Sequence, residues 1–92
     1  MDMSSNVPHE IKVVYINRRK SDLIECNKAL ETGDFLFLEK IGHQVKGNAQ
    51  SFGFDSLASY GVDLETAAKS KDLSRAKTIV FEFNKAVEKI KI

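Results

Sequence analysis

An all-α fold, an antiparallel up-down-up-down bundle of four helices, is what the 92-residue sequence predicts. Apolar residues recur with helical period along nearly the whole chain. The helix breakers gather at three places: Thr32-Gly33-Asp34, Gly53 with Asp55, and Lys71-Asp72. Connections that short oblige consecutive helices to lie antiparallel, which is the bundle arrangement.

Pro8 suits the start of the first helix, because its missing N–H would have no intrahelical partner there. That helix is expected from about His9 to Glu31, with residues 1–8 a flexible tail and residues 9–92 one folded unit. Ile16, Leu23 and Leu30 are spaced by heptads, and Cys26 beside them reads as a small core residue. Ile11, Val14 and Tyr15 fall on another face, either capping the bundle end or marking a bend. Gly33 closes the helix in a left-handed conformation and Asp34 caps the second helix. The third helix is expected over roughly Ser56 to Ser70, presenting Leu57, Tyr60, Gly61, Leu64 and Ala68. Asp72 caps a fourth that runs to about Lys89, with the stripe Ala76, Ile79, Val80, Phe83, Val87 and Ile90.

Composition narrows the function classes. The 14 basic and 13 acidic side chains leave a net charge of +1, with no dense Lys/Arg cluster to hold a phosphate backbone. Arg18-Arg19-Lys20, followed by Asp22, reads as a solvated helix face. One cysteine allows neither an intrachain disulfide nor a cysteine-based zinc site. The chain has no signal-peptide pattern and no apolar run of membrane-spanning length, so a cytoplasmic protein that binds neither nucleic acid nor membrane is expected. No second apolar interface is defined, and a monomer is expected.

The second helix carries the chemistry. On a wheel of about 100° per residue with His43 at zero, Leu38, Ile41, Val45, Ala49 and Phe52 lie within about 60° of the opposite pole. Leu36, Glu39, Lys40, Lys46, Gly47, Gln50 and Phe54 lie within about 60° of His43 itself. The imidazole is thereby aimed at solvent while its helix is anchored from behind. Gly47, one turn on, costs the helix about 1 kcal/mol relative to alanine and clears space for a partner. Lys46 reaches the same space and would offset the roughly −2 charge of a phosphoryl group. Leu36 and Phe54 bracket the histidine as a docking surface, with Glu39, Lys40 and Gln50 around them. Gln50 either contacts that partner or is merely solvated.

His43-x-x-Lys46-Gly47, with Gly53 six residues later, resembles the signature of histidine-containing phosphotransfer (HPt) domains. The likeness extends to Ala29-Leu30-x-x-Gly33-Asp34, Phe52-Gly53-Phe54, Leu64-Glu65-x-Ala67-Ala68 and Tyr15-Ile16-Asn17-Arg18-Arg19-x-x-Asp22-Leu23, the last similar to stand-alone bacterial members. Gly42 departs from the alanine of many members, but it keeps the position small. The resemblance implies a phosphorelay protein that takes a phosphoryl group on His43 from a receiver-domain phospho-aspartate, or from a kinase, and passes it to another receiver. Lys46 is then the charge partner and Gly47 the clearance. Glu65 matches a position where some members hydrogen-bond the imidazole. There it would accept from Nδ1–H and leave Nε2 as nucleophile, unless it is an ordinary solvated carboxylate at a bundle seam. Partners would be receiver domains of response regulators or hybrid histidine kinases. No cofactor of its own is expected, the Mg²⁺ belonging to the partner receiver.

Other classes fit less well. An unphosphorylated HPt-like module regulating a kinase or response regulator would not need the histidine, lysine and glycine together. A metal-binding bundle needs several inward Glu and His ligands, and only two histidines exist. The sequence contains no phosphate-binding loop and no Ser/His/Asp set for autonomous catalysis.

Overall fold

A computed structural model describes residues 7–91, so residues 1–6 of the expected tail and residue 92 lie outside the described residues. Four helices follow in order: α1 (His9–Thr32), α2 (Phe35–Asn48), α3 (Asp55–Lys69) and α4 (Leu73–Glu88), with a 3-10 turn at Gln50–Phe52 between α2 and α3. The ends of α1, α3 and α4 fall within a residue or so of their expected places, because the local chemistry stops each helix there, whereas α2 stops at Asn48, short of residues 52–54 over which its periodicity was extended. Gly33 sits at φ 71° and its N–H bonds to the Ala29 carbonyl, closing α1. Asp34 accepts from the Phe37 N–H at 3.1 Å and Asp72 from the Arg75 N–H at 3.1 Å, each satisfying a donor that the helix start leaves free.

Neighbouring helices pack α1 on α2, α2 on α3 and α3 on α4, and α1 on α4 closes the bundle. The centre is filled by Ile16, Leu23 and Cys26 from α1, Leu38 and Val45 from α2, Leu57 and Leu64 from α3, and Val80, Phe83 and Val87 from α4, all essentially inaccessible. Burial pushes the Cys26 thiol up to about 12, so it packs as an inert small apolar group. Phe52 and Ile90 are only half-buried, packed against the edge of this core.

The N-terminal part of α1 caps one end of the bundle. Tyr15 is buried and stacks on Phe52 at 4.5 Å and on Phe54 at 5.6 Å, while its hydroxyl donates to Asn48 Oδ1 at 2.7 Å. Ile11 and Val14 remain exposed on the same turns. Arg19 corrects the reading of a solvated basic face: it is 6% exposed. Its guanidinium lies over the Tyr15 ring at 4.7 Å and pairs with Asp22 at 2.7 Å. The aromatic face accommodates its planar, weakly hydrated cation, which a run of three basic residues does not reveal. Arg18 and Lys20 are solvated.

No helix among the described residues is long and apolar enough to cross a membrane. The α3–α4 turn contains the one described non-glycine residue in left-handed backbone, Lys71 at φ 55°. A β-carbon there crowds the carbonyl, so Lys71→Gly should stabilise the fold by about 0.5–1 kcal/mol, after the entropy that glycine loses on folding. Urea denaturation of the two proteins measures the difference.

Candidate functional site

The site lies on the seam between α2 and α3, the most extensive helix contact in the molecule. Two glycines let the backbones meet there. A β-carbon on Gly42 would lie 2.5 Å from the Glu65 amide nitrogen and 2.8 Å from the Gly61 carbonyl oxygen. One on Gly61 would press on the Lys46 amide nitrogen and stand 2.8 Å from the Gly42 carbonyl oxygen. Gly42 is therefore more than a tolerated small residue. Space, rather than backbone conformation, fixes both glycines.

Glu65 rises from α3 into this seam with its side chain only 10% exposed, so it is not a solvated carboxylate. Its Oε2 accepts from His43 Nδ1 at 2.8 Å and its Oε1 accepts from Lys46 Nζ at 2.7 Å. Lys69, one turn along α3, brings its ammonium to 3.9 Å from Oε2. The bonds from Lys46 and His43 hold the Glu65 carboxyl below the ordinary carboxylate range against the opposing effect of burial. An ionised carboxylate can only accept, so the proton of a neutral His43 ring sits on Nδ1 and the lone pair on Nε2. The His43 side chain is 69% exposed. A shallow groove of about 480 Å³ opens beside it, lined by Glu39, Lys40, His43, Gln44, Lys46, Glu65 and Lys69.

The other residues marked by the wheel divide. Leu36 is 81% exposed; Lys40, Lys46, Gly47 and Gln50 are also exposed, and Glu39 is half-buried. Open space surrounds Gly47, where a β-carbon would meet nothing within 4 Å. Phe54 is the correction: it is 9% exposed, stacked on Tyr15, and belongs to the core rather than to a docking face. The wheel placed it eleven residues beyond His43, but α2 ends at Asn48 and Gly53 turns the chain at φ 86°. A phase of 100° per residue does not survive those breaks, and the ring returns to the interior. Lys69 was missed by the sequence reading, though its spacing four residues after Glu65 places it on the same helix face. The Gly42–Gly61 contact was missed as well, although both glycines interrupt helix interiors.

Among the described residues no three His, Cys, Asp or Glu side chains gather as a metal-binding cluster. The arrangement instead offers a solvent-facing imidazole nitrogen, a proton held on the opposite nitrogen and two ammonium groups nearby. Such a set can accept an electrophilic group of negative charge.

Comparison with known proteins agrees with this chemistry. The Hpt domain family matches residues 12–91. Two curated relatives, each named phosphorelay protein LuxU, from Vibrio vulnificus strains YJ016 and CMCP6, are 30% identical over 69 residues. That stretch is 75% of this chain, and the chain spans 59% of the length of those relatives. No solved structure matches the chain significantly.

The lowered pKa of Glu65 fixes a sign. Its ionised form is favoured by folding, so its contribution is complete above the ordinary glutamate value of about 4.3 and fades as pH falls through the lowered folded value. Glu65→Gln should therefore denature at lower urea than the parent at pH 7. The gap should narrow progressively when the pair is compared from pH 5 down to pH 3.

Proposed function

This chain belongs to the Hpt domain family, and from that premise we propose that it is a phosphoryl carrier in a phosphorelay. It accepts the group on His43 and surrenders it to the aspartate of a receiver domain. The observation that carries this reading is the division of labour on one ring: Nδ1 tied back to Glu65 at 2.8 Å while the other edge of an exposed imidazole faces solvent.

In the proposed reaction a receiver domain docks over the His43 face of α2, presenting its phospho-aspartate and its Mg²⁺. The Nε2 lone pair attacks phosphorus in line, the P–Nε2 bond forms, and the aspartyl P–O bond breaks with its electron pair leaving on the carboxylate. The ring becomes positively charged and keeps its proton on Nδ1, where Glu65 stabilises it. The reverse step expels neutral imidazole and needs no change of proton position in this chain. Lys46 and Lys69 offset the charge of the phosphoryl group, and Lys46 can share its donors between that group and Glu65 Oε1.

Leu36, Lys40 and Gln50 supply the surrounding docking surface, with Glu39 at its margin. The bare backbone at Gly47 admits close approach. Within this reading the chain works as a carrier rather than as an enzyme with its own nucleotide, in the cytoplasm, and its partners are receiver domains of response regulators or hybrid kinases.

Incubation with a phosphorylated receiver domain tests the assignment. Acid-labile label should pass to the wild-type chain and none to His43→Gln; label that persists in His43→Gln, or none on the wild type across a panel of receivers, overturns it. The second outcome would leave a binding module that regulates its partner without being phosphorylated. Glu65→Ala should slow transfer by about ten- to a hundredfold, the scale on which groups that orient metal-ligating imidazoles act. Gly47→Ala, in the last turn of α2, should raise stability by less than the roughly 1 kcal/mol of a helix interior while slowing transfer, because better helix propensity comes with a methyl group in the partner's path. Thermal denaturation and transfer kinetics on the same samples read both effects.

A further inference from the structure

We propose that Gly42 and Gly61 are positioning residues for the phosphoryl site: their mutual contact sets the helix separation at which one Glu65 carboxylate can hold His43 and Lys46 together. The proposal rests on the carrier function assigned above and deepens it.

The two glycines are arranged reciprocally around the site residues. Gly42 immediately precedes His43, and the space where its β-carbon would stand is filled by the backbone of Glu65: the amide nitrogen would be 2.5 Å away and the α-carbon 3.0 Å. Gly61 lies one turn before Glu65, and its missing β-carbon would press on the backbone of Lys46 and stand 3.0 Å from the Val45 carbonyl carbon. Thus each glycine abuts the main chain of a residue whose side chain enters the network on the opposite helix. The obstructing atoms are all backbone, so no side chain can swing aside to admit a methyl group.

Restoring ordinary carbon contact of about 3.5 Å would move the helices apart or along one another by about 1 Å. Taken up along the line from Glu65 to His43, a shift of that size carries a 2.8 Å bond past the limit of hydrogen bonding. The Glu65 carboxylate is already committed to one donor on each oxygen, so following one of them costs the other. Gly47 provides the internal contrast, being a glycine of the same helix that faces open space. Glycine weakens a helix interior, so two glycines facing each other at this one crossing require a gain elsewhere. The gain is a fixed Nδ1–H tautomer on His43.

The test is ¹⁵N NMR of the imidazoles in the full chain, with His43→Gln used to separate the His43 signals from those of His9. Wild-type His43 should show a protonated Nδ1 and an unprotonated Nε2. Gly42→Ala and Gly61→Ala, verified as helical by circular dichroism, should both shift toward a mixture of tautomers and lose rate in accepting label. Val87→Ala, which loosens the buried core on α4, a helix that supplies none of the atoms found nearest the two glycines, should keep the wild-type tautomer. Glu65→Asp shortens the carboxylate arm in an unaltered crossing and should reproduce the shift. It decides the question if neither alanine variant folds. A wild-type spectrum in either folded alanine variant or in Glu65→Asp, or an equal shift in Val87→Ala, overturns the proposal. These spectra do not depend on phosphotransfer, so a wild-type chain that takes no label removes the carrier function without altering what they report about the crossing.

Discussion

One carboxylate organises this molecule's chemistry. Glu65 stands in the α2–α3 seam with hydrogen bonds to His43 and Lys46 and with Lys69 close by. A carboxylate so withdrawn from water is costly unless its lone pairs are met, and here cations and a ring N–H meet them. The bonds act in both directions. They keep Glu65 ionised, and the ionised oxygen dictates which imidazole nitrogen carries the proton. The rest of the fold brings two helices close enough for this to happen and holds the ring at the surface once it has.

The bundle serves that arrangement through packing from behind. Leu38, Ile41 and Val45 lie on the core side of α2, so the helix cannot rotate to bury His43 without exposing them. At the end of the bundle, Tyr15 stacks on Phe52 and Phe54 and bonds to Asn48, tying α1 to the segment that leaves α2. This ties down the chain beyond α2, whose last residue, Asn48, directly follows Lys46 and Gly47.

Much of this was legible in the sequence because it depends on local rules. Gly33, Asp34 and Asp72 each have a backbone role that few other residues fill, so helix ends could be placed from them. The heptads of α1 and the stripe of α4 named the core because a regular helix carries its phase along. What was not legible depends on where the phase breaks or on distances between helices. Phe54 was placed on the docking face by extending α2 through a 3-10 turn and a left-handed glycine. Arg19 reads as solvated until the ring of Tyr15, four residues earlier, is seen beneath it. The meeting of Gly42 with Gly61 is a relation between two helices that neither stripe contains. Glu65 shows the boundary well: its family position marked it as a partner for the histidine, but only the seam distinguishes it from a solvated carboxylate.

A carboxylate beside a phosphoryl acceptor presents an electrostatic difficulty, since like charges within a few ångströms repel in a partly dehydrated site. The geometry answers it by using opposite edges of one aromatic ring. Glu65 meets the Nδ1 edge, and the phosphoryl group of the proposed relay would form on the Nε2 edge, with the imidazole between the two negative charges. In that state the ring itself bears positive charge, and Lys46 is within reach of the carboxylate on one side and of the groove on the other. In the proposed relay Glu65 would stabilise the ring's positive charge while repelling the phosphoryl group beyond it, so the two effects would oppose each other. A stronger cationic cage would trap the phosphoryl group, and a site without the carboxylate would leave the attacking nitrogen in the wrong tautomer for part of the time. The pairing of Glu65 with two ammonium groups and the ring N–H is therefore compatible with the proposed relay, in which the group must leave as well as arrive.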